Sequence, residues 1–422
     1  MLREGQFVAD VLFYNGDWAP NIVEPKHINP SLGKGYDYDV CNEEIILTRL
    51  SVKDGLLMLP DGMTYRMLVL PDSTNMPAGT LKKIASLVAD GATVVGRPPQ
   101  RDPGLKNYPE CDREVQSIAS EVWGKIDGVN TCSASYGKGR VFFGKDLRSI
   151  LLEDGIQPDF ETDSDDAHID FIHRTTDEYE FYFIANLRKQ AETVNCVFRV
   201  SGCQPELWDP VTAKKITINE YQQDRTHTQV PVEFAGFQSF FVVFPRKSKP
   251  GKNKTGKTNF PKLVDAGVLP GSWTVRFDPG WGGPSSVEFQ NLEDWTQRPE
   301  DGIRYYSGKA TYYKQFDFKE EAQGRVFLDL GVVKDIAEVR LNGENLGVVW
   351  TSPWRVEVTG IIRTEKNQLE VDIINQWPNR LLGDAGLPEE QRLTRTNIVL
   401  RDDMQLMPSG LIGPVSIRKE IM

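Results

Sequence analysis

Between Ile303 and Asp384 the chain alternates strand-like segments with short turns. Ala310, Tyr312, Lys314, Phe316 and Phe318 fall on one side of an extended segment, and Thr311, Tyr313, Gln315 and Asp317 on the other. A period of two predicts a strand in a layered sheet. Glu338 to Leu341 runs into Asn342-Gly343, a dipeptide that favours a tight hairpin turn with positive φ. Residues 263–422 are accordingly expected to form an antiparallel β-sandwich.

The first 157 residues follow a different rhythm. Apolar runs around Val8 to Tyr14, Arg66 to Leu70, Ala92 to Val95 and Arg140 to Phe143 predict buried strands. Between them, Leu81, Ile84, Ala85 and Val88 share a helical face closed by Gly91, and Asp112 to Trp123 predicts another helix. A short helix is expected from Asp39 to Leu50, followed by a hairpin turning at Asp54-Gly55. Strands alternating with helices imply a parallel sheet covered on both faces, here a flavodoxin-like layer of the kind also found in glutamine amidotransferases. Residues 158–246 change to short strands with turns every eight to twelve positions, the pattern of a small β-sandwich. The fold class is thus multidomain, α/β followed by all-β.

Residues 247–262 join the sandwiches. Arg246 to Lys262 carries seven Lys or Arg and no acid among Gly, Pro, Ser and Asn, a composition that reads as a solvated linker. The whole chain has 422 residues, room for two or three cores, with a formal net charge of −11 that argues against a nucleic-acid partner. No apolar run reaches the roughly 18–20 residues of a membrane helix. The charged start, MLREGQFVADVLFYNG, is not a signal peptide. Five scattered cysteines (Cys41, Cys111, Cys132, Cys196, Cys203) show no zinc spacing; Cys196 and Cys203 could bridge a hairpin, but free core thiols are the favoured reading.

Candidate chemistry is sparse. Gly33-Lys34-Gly35 follows a loop instead of a strand, so it is no nucleotide fingerprint. No cysteine sits in the GxCxG elbow of a glutamine amidotransferase, and His27 has no thiol tied to it. Asp163-Ser164-Asp165-Asp166 lacks the glycine and distal glutamate of a calcium loop. Neighbouring Glu43 and Glu44 would diverge by about 100° on a helix. No stretch supplies eight βα units of a catalytic barrel. No catalytic residue, cofactor or metal site is assigned.

Binding candidates remain. Six tryptophans (Trp273, Trp281, Trp295, Trp350, Trp354, Trp377) lie in the last sandwich, where an indole either fills the core or stacks on a sugar. Trp350 and Trp354 bracket Ser352-Pro353 in a loop-like segment, which favours surface presentation. Asn379 and Arg380, read as a turn after a strand, either contact a ligand or lock a loop. The loop from Asn15 to Asp39 is long for a connection, and ligands of open α/β sheets sit beyond the carboxyl ends of the strands. Tyr36, Asp37, Asp39 and Asn42 are the candidates there, with Asp39 as a helix cap the competing reading. His173 and Arg174 end a strand and could face the same seam, or serve packing.

Taken together, GYDYDVCNEE (35–44), LSVKDGLLMLPDGMTYRMLVLPDS (50–73), IDFIHRTTDEYEFYFIAN (169–186), PELWDPVT (205–212), YYSGKATYYKQF (305–316), AEVRLNGENLGVVWTSPWRVEVTG (337–360) and WPNRLLGDAGLP (377–388) resemble glycoside hydrolase family 106, the α-L-rhamnosidase-like enzymes. The last sandwich also resembles the sugar-binding domain of glycoside hydrolase family 2, a jelly-roll, galactose-binding-like fold. The resemblance implies a carbohydrate partner in plant polysaccharide breakdown, and relatives that are usually secreted or periplasmic. It also implies a catalytic barrel preceding residue 1 or encoded separately, so the chain is expected to be a truncated, non-catalytic C-terminal portion. A stand-alone lectin-like binder is the alternative.

Overall fold

The structure, a computed structural model, describes residues 1–18, 30–251, 258–319, 324–401 and 403–421. Five strands, Tyr38–Cys41, Val11–Tyr14, Met67–Val69, Thr93–Val95 and Gly139–Phe142, lie side by side in that order and run parallel. Ser133–Tyr136 adds an antiparallel edge. Pleating sends alternate side chains to opposite faces. Leu12, Tyr14, Leu68 and Val94 therefore meet helices Ala78–Asp90 and Glu110–Trp123, while Val11, Phe13, Met67 and Val69 meet Leu147, Ile150 and Leu151 of helix Leu147–Glu153. Both faces are covered, which is why these strands read as unbroken apolar runs.

Two β-sandwiches follow. In the first, a six-stranded sheet centred on Ile169–Thr175, Tyr179–Asn186 and Ser239–Pro245 faces a four-stranded sheet centred on Glu192–Phe198 and Thr228–Phe234. Tyr182, Ile184, Val242 and Phe244 interleave with Val194, Cys196, Phe198 and Val232 between them. The edge of the larger sheet is Gln6–Phe7, so the chain's first strand is spent on this sandwich.

The second sandwich sets a six-stranded sheet containing Lys309–Phe316, Asn367–Ile374 and Ile336–Leu341 against a four-stranded one. Leu263–Val268 pairs with Ser416–Glu420, so the start and end of this unit close the same sheet. Ala310, Tyr312, Phe316 and Phe318 are buried in its core, on the side that the period of two assigns. Asn342 and Gly343 hold φ of 54° and 86° at the hairpin.

Several local expectations are corrected. Asp39 does not open a helix: Tyr38–Cys41 is a strand, and Glu43–Thr48 is the helix, capped by Asn42. The edge strand lengthens the sheet because Val11–Tyr14 offers it a full row of backbone partners. Asn379 and Arg380 lie in helix Pro378–Ala385, not in a turn. The ends of the basic segment dock onto the first sandwich: Asn259 donates to the carbonyls of Glu220 (2.7 Å) and Pro231 (3.3 Å), and Phe260 packs against its core. Residues 252–257 of that segment fall outside the described residues. All five cysteines are free thiols. No described helix is long and apolar enough to cross a membrane.

Candidate functional site

A buried polar network lies where the α/β layer meets the first sandwich. Asp10 immediately precedes strand Val11–Tyr14, and Arg199 follows strand Glu192–Phe198. The Arg199 Nη2 donates to both Asp10 carboxylate oxygens, at 2.9 and 3.1 Å. Its Nε stands 3.4 Å from the Asp159 carboxylate. Asp159 is 2% exposed; it accepts from the Tyr182 hydroxyl at 2.9 Å and pairs with His173 Nδ1 at 2.8 Å. The second His173 nitrogen meets Glu180 at 3.0 Å, and Glu180 also pairs with Arg246. The imidazole lies nearly parallel to the Tyr182 ring, with centroids 3.9 Å apart.

Electrostatics follow from this packing. Burial lowers the His173 pKa, but Asp159 and Glu180 outweigh it and raise the imidazolium to about 9. For Asp159, burial favours the neutral acid, yet His173, Arg199 and the Tyr182 hydroxyl hold the carboxyl below its usual range. Asp10 goes the other way: burial lifts its carboxyl despite the Arg199 fork. A cavity of about 140 Å³ opens beside this group, lined by Asp10, Arg199, Tyr65, Arg66 and Met63 among others. It sits at the amino ends of the parallel strands, opposite the edge where ligands of such sheets bind.

The loop candidates do not converge. Tyr36 is buried and donates to the Ile156 carbonyl at 2.7 Å, with burial pushing its phenol up. Asp37 is buried, and its backbone carbonyl accepts from Asp10 N at 3.1 Å. Asp39 accepts from the Tyr65 hydroxyl at 3.0 Å. Asn42 accepts from Ile45 N at 3.1 Å, at the opposite end of the strand. The strand between them carries Tyr36 and Asn42 to opposite edges of the sheet. Residues 19–29 of this loop, with His27, lie outside the described residues. An Asn42→Ala variant is expected to lose about 1 kcal/mol of stability, the usual worth of an N-cap, as thermal unfolding would register.

His173 is buried where the α/β layer meets the first sandwich, and links to Asp37 through Asp159, Arg199 and Asp10. Arg174 does not join it: its guanidinium holds the Glu4 and Gly5 carbonyls at 2.7 and 2.6 Å and pins the first strand. Asp10, Asp159, Glu180 and Arg199 are absent from the sequence-derived candidates, because no periodicity marks an ion pair between residues far apart in the chain.

On the last sandwich, Trp350 is 56% exposed, whereas Trp354 is half-buried against the core. Between them, Thr351 and Ser352 donate to the carbonyls of Phe237 and Gly236 in the first sandwich. The Trp350 loop is therefore partly a joint, reinforced by Lys214 and Glu357 at 2.8 Å. Asn379 clamps the segment beyond its helix: it donates to the Met407 carbonyl and accepts from Met407 N, both at 2.7 Å. Arg380 is buried beside Asp384, Nη2 to Oδ1 at 2.9 Å. Among the described residues, no three His, Cys, Asp or Glu side chains are placed to hold a metal.

Comparison with known proteins identifies the family. The model of glycoside hydrolase family 106, α-L-rhamnosidase, matches residues 1–223, just over half of the 422. The galactose-binding domain-like model of glycosyl hydrolase family 2 matches residues 293–397. The motifs from 305 onward thus fall to this second model, not to the rhamnosidase one. A rhamnosidase from Novosphingobium sp. PP1Y is 33% identical, with a TM-score of 0.81 over 99% of this chain and 40% of that one. A Formosa agariphila protein provisionally named a beta-glucuronidase is 25% identical over 99% of this chain and 56% of its own length. The chain thus spans about half of that relative and less of the rhamnosidase. On the family model's match to more than half of its residues, the chain belongs to glycoside hydrolase family 106.

Proposed function

We propose that this chain is the non-catalytic portion of an α-L-rhamnosidase-like glycoside hydrolase acting in carbohydrate breakdown. In this reading an α/β layer of flavodoxin-like design and two sandwiches scaffold a catalytic barrel and add carbohydrate contacts. The order of the parallel strands, 2-1-3-4-5 by chain position, supports the flavodoxin-like assignment. One observation carries the functional part: among the described residues, four of the five buried aspartates are each engaged by a cation, while the fifth, Asp37, accepts from the Tyr38 amide at 2.9 Å. Asp10 and Asp159 are bound by Arg199 and His173, Asp372 by Arg340 at 2.9 Å, and Asp384 by Arg380. Glycoside hydrolysis instead needs an acid and a base or nucleophile facing each other across a gap of roughly 5–10 Å. The 40% coverage of the Novosphingobium rhamnosidase supports the same reading, since most of that protein lies beyond the matched region.

The purified chain is expected to show no turnover of p-nitrophenyl α-L-rhamnoside. Robust hydrolysis abolished by one carboxylate substitution defeats the proposal. A lectin-like binder is the second reading, favoured by the exposure of Trp350 and of Trp377.

A further inference from the structure

The last sandwich carries an aromatic corner built from two of its six tryptophans, Trp281 and Trp377. Trp281 ends the short turn Pro279–Trp281, which Gly282 closes at φ 78°. Trp377 stands at the head of helix Pro378–Ala385 and is 48% exposed. The two indoles meet edge to face, with centroids 4.8 Å apart and planes at 67°. Such a contact covers one face of one ring only, so open indole surface remains at the rim. Trp350, although more exposed, has no ring partner among the described residues.

A polar pair lies at the base of this corner. Arg380 is three residues beyond Trp377 and so on the same side of the helix. Its Nη1 lies 3.6 Å from where a Cβ on Gly282 would stand, next to Trp281. Gly383 is more tightly constrained, since a Cβ there would come within 2.7 Å of Arg380 Nη2 and 2.6 Å of Tyr305 Cβ. Arg380 is 6% exposed, yet its Nε has no hydrogen-bond acceptor, and Asp384 Oδ1, though paired by charge, has no donor in good geometry. Asp384 Oδ2, by contrast, is fully used by the Thr394 amide (2.7 Å) and hydroxyl (2.6 Å). Unmet buried donors and acceptors cost free energy; both atoms are closed to solvent, so a ligand hydroxyl reaches them only by displacing what covers them.

We propose that the Trp281–Trp377 corner, with Arg380 and Asp384 at its base, is a subsite for a neutral pyranoside. A pyranose offers an apolar C–H face to an indole and hydroxyls that donate and accept at once. The unmet capacity here is one donor beside one acceptor. The guanidinium is already neutralised by Asp384, and the chain carries a net charge of −11, so a uronate or sulfated sugar gains little. This inference deepens the carbohydrate-contact half of the proposed function and rests on it.

The test is titration of the full chain with methyl α-L-rhamnopyranoside, methyl β-D-galactopyranoside and, as the anionic probe, D-glucuronic acid. Saturation-transfer NMR and tryptophan fluorescence report binding. Saturable binding of a neutral glycoside is expected, weakened about tenfold by Trp377→Ala and by Trp281→Ala and unchanged by Trp350→Ala. Thermal unfolding of the half-exposed Trp377→Ala variant checks that it remains folded. Binding of neither neutral probe, equal losses in Trp350→Ala, or tighter binding of glucuronic acid overturns the assignment. The hydrolysis assay is read separately: turnover by the chain removes the non-catalytic reading without altering where these glycosides bind.

Discussion

An Asp159→Ala variant unfolds with about 3–5 kcal/mol less free energy than the parent, the cost of stripping one partner from a buried ion network. Asp159 is the hub at the seam: it faces His173, Arg199 and the Tyr182 hydroxyl at once. Alanine leaves the His173 imidazolium with Glu180 alone and Arg199 with Asp10 as its one carboxylate beside the Gln157 carbonyl, in surroundings almost closed to water. It also leaves the Tyr182 hydroxyl without its acceptor. Native-state hydrogen exchange of the amides in Ile169–Thr175 reads the effect locally, which matters in a chain with several cores. Protection reduced by less than about 1 kcal/mol would show that the network is solvated and that its distances overstate its worth.

Stability should also fall as the solution turns alkaline. His173 titrates near 6.5 when unfolded and near 9 when folded, because Asp159 and Glu180 prevail over burial. A group whose folded pKa is raised stabilises fully below its unfolded value and loses that contribution as pH rises through the folded one. The contribution is thus complete below about pH 6.5 and gone above about pH 9, on the order of 3 kcal/mol. Asp159 has the opposite sign. Its depressed pKa stabilises above the usual carboxylate range and fails as pH falls through the folded value. Melting temperatures of the parent and His173→Gln, measured between pH 6 and 10, check this. The parent's steeper decline in that window should be absent from the variant; parallel curves would contradict a charged His173.

Much of the architecture is legible in the chain because hydrophobic burial imposes a period. Ala310 to Phe318 alternates as a strand should, and those apolar positions are buried. Asn342-Gly343 adopts the positive φ that its hairpin needs. Leu81, Ile84, Ala85 and Val88 all face the core of the α/β layer. The misreadings sit where two local rules compete. Asp39 and Asn42 are both good caps, and only the backbone row of Val11–Tyr14 decides that Asp39 joins a strand. Asn379 and Arg380 look like turn residues by polarity; the clamp on Met407 and the pairing with Asp384 bury them in a helix.

The candidate site is less legible than the fold. Arg199 and Asp10 are 189 positions apart, and no local pattern joins a cation at one strand end to a carboxylate before another. Six tryptophans have the same chemistry in the sequence, yet Trp273 and Trp295 are sealed in the core while Trp281 and Trp377 meet at the surface.

The amino-acid order by itself determined the strand and helix periods and the motifs that carry the family resemblance, because each depends on neighbours a few residues away. Tertiary structure alone decided which charges neutralise one another at the seam and which indoles reach the rim. Those outcomes depend on distances through space between remote strands, and on how much water the final packing leaves around each group.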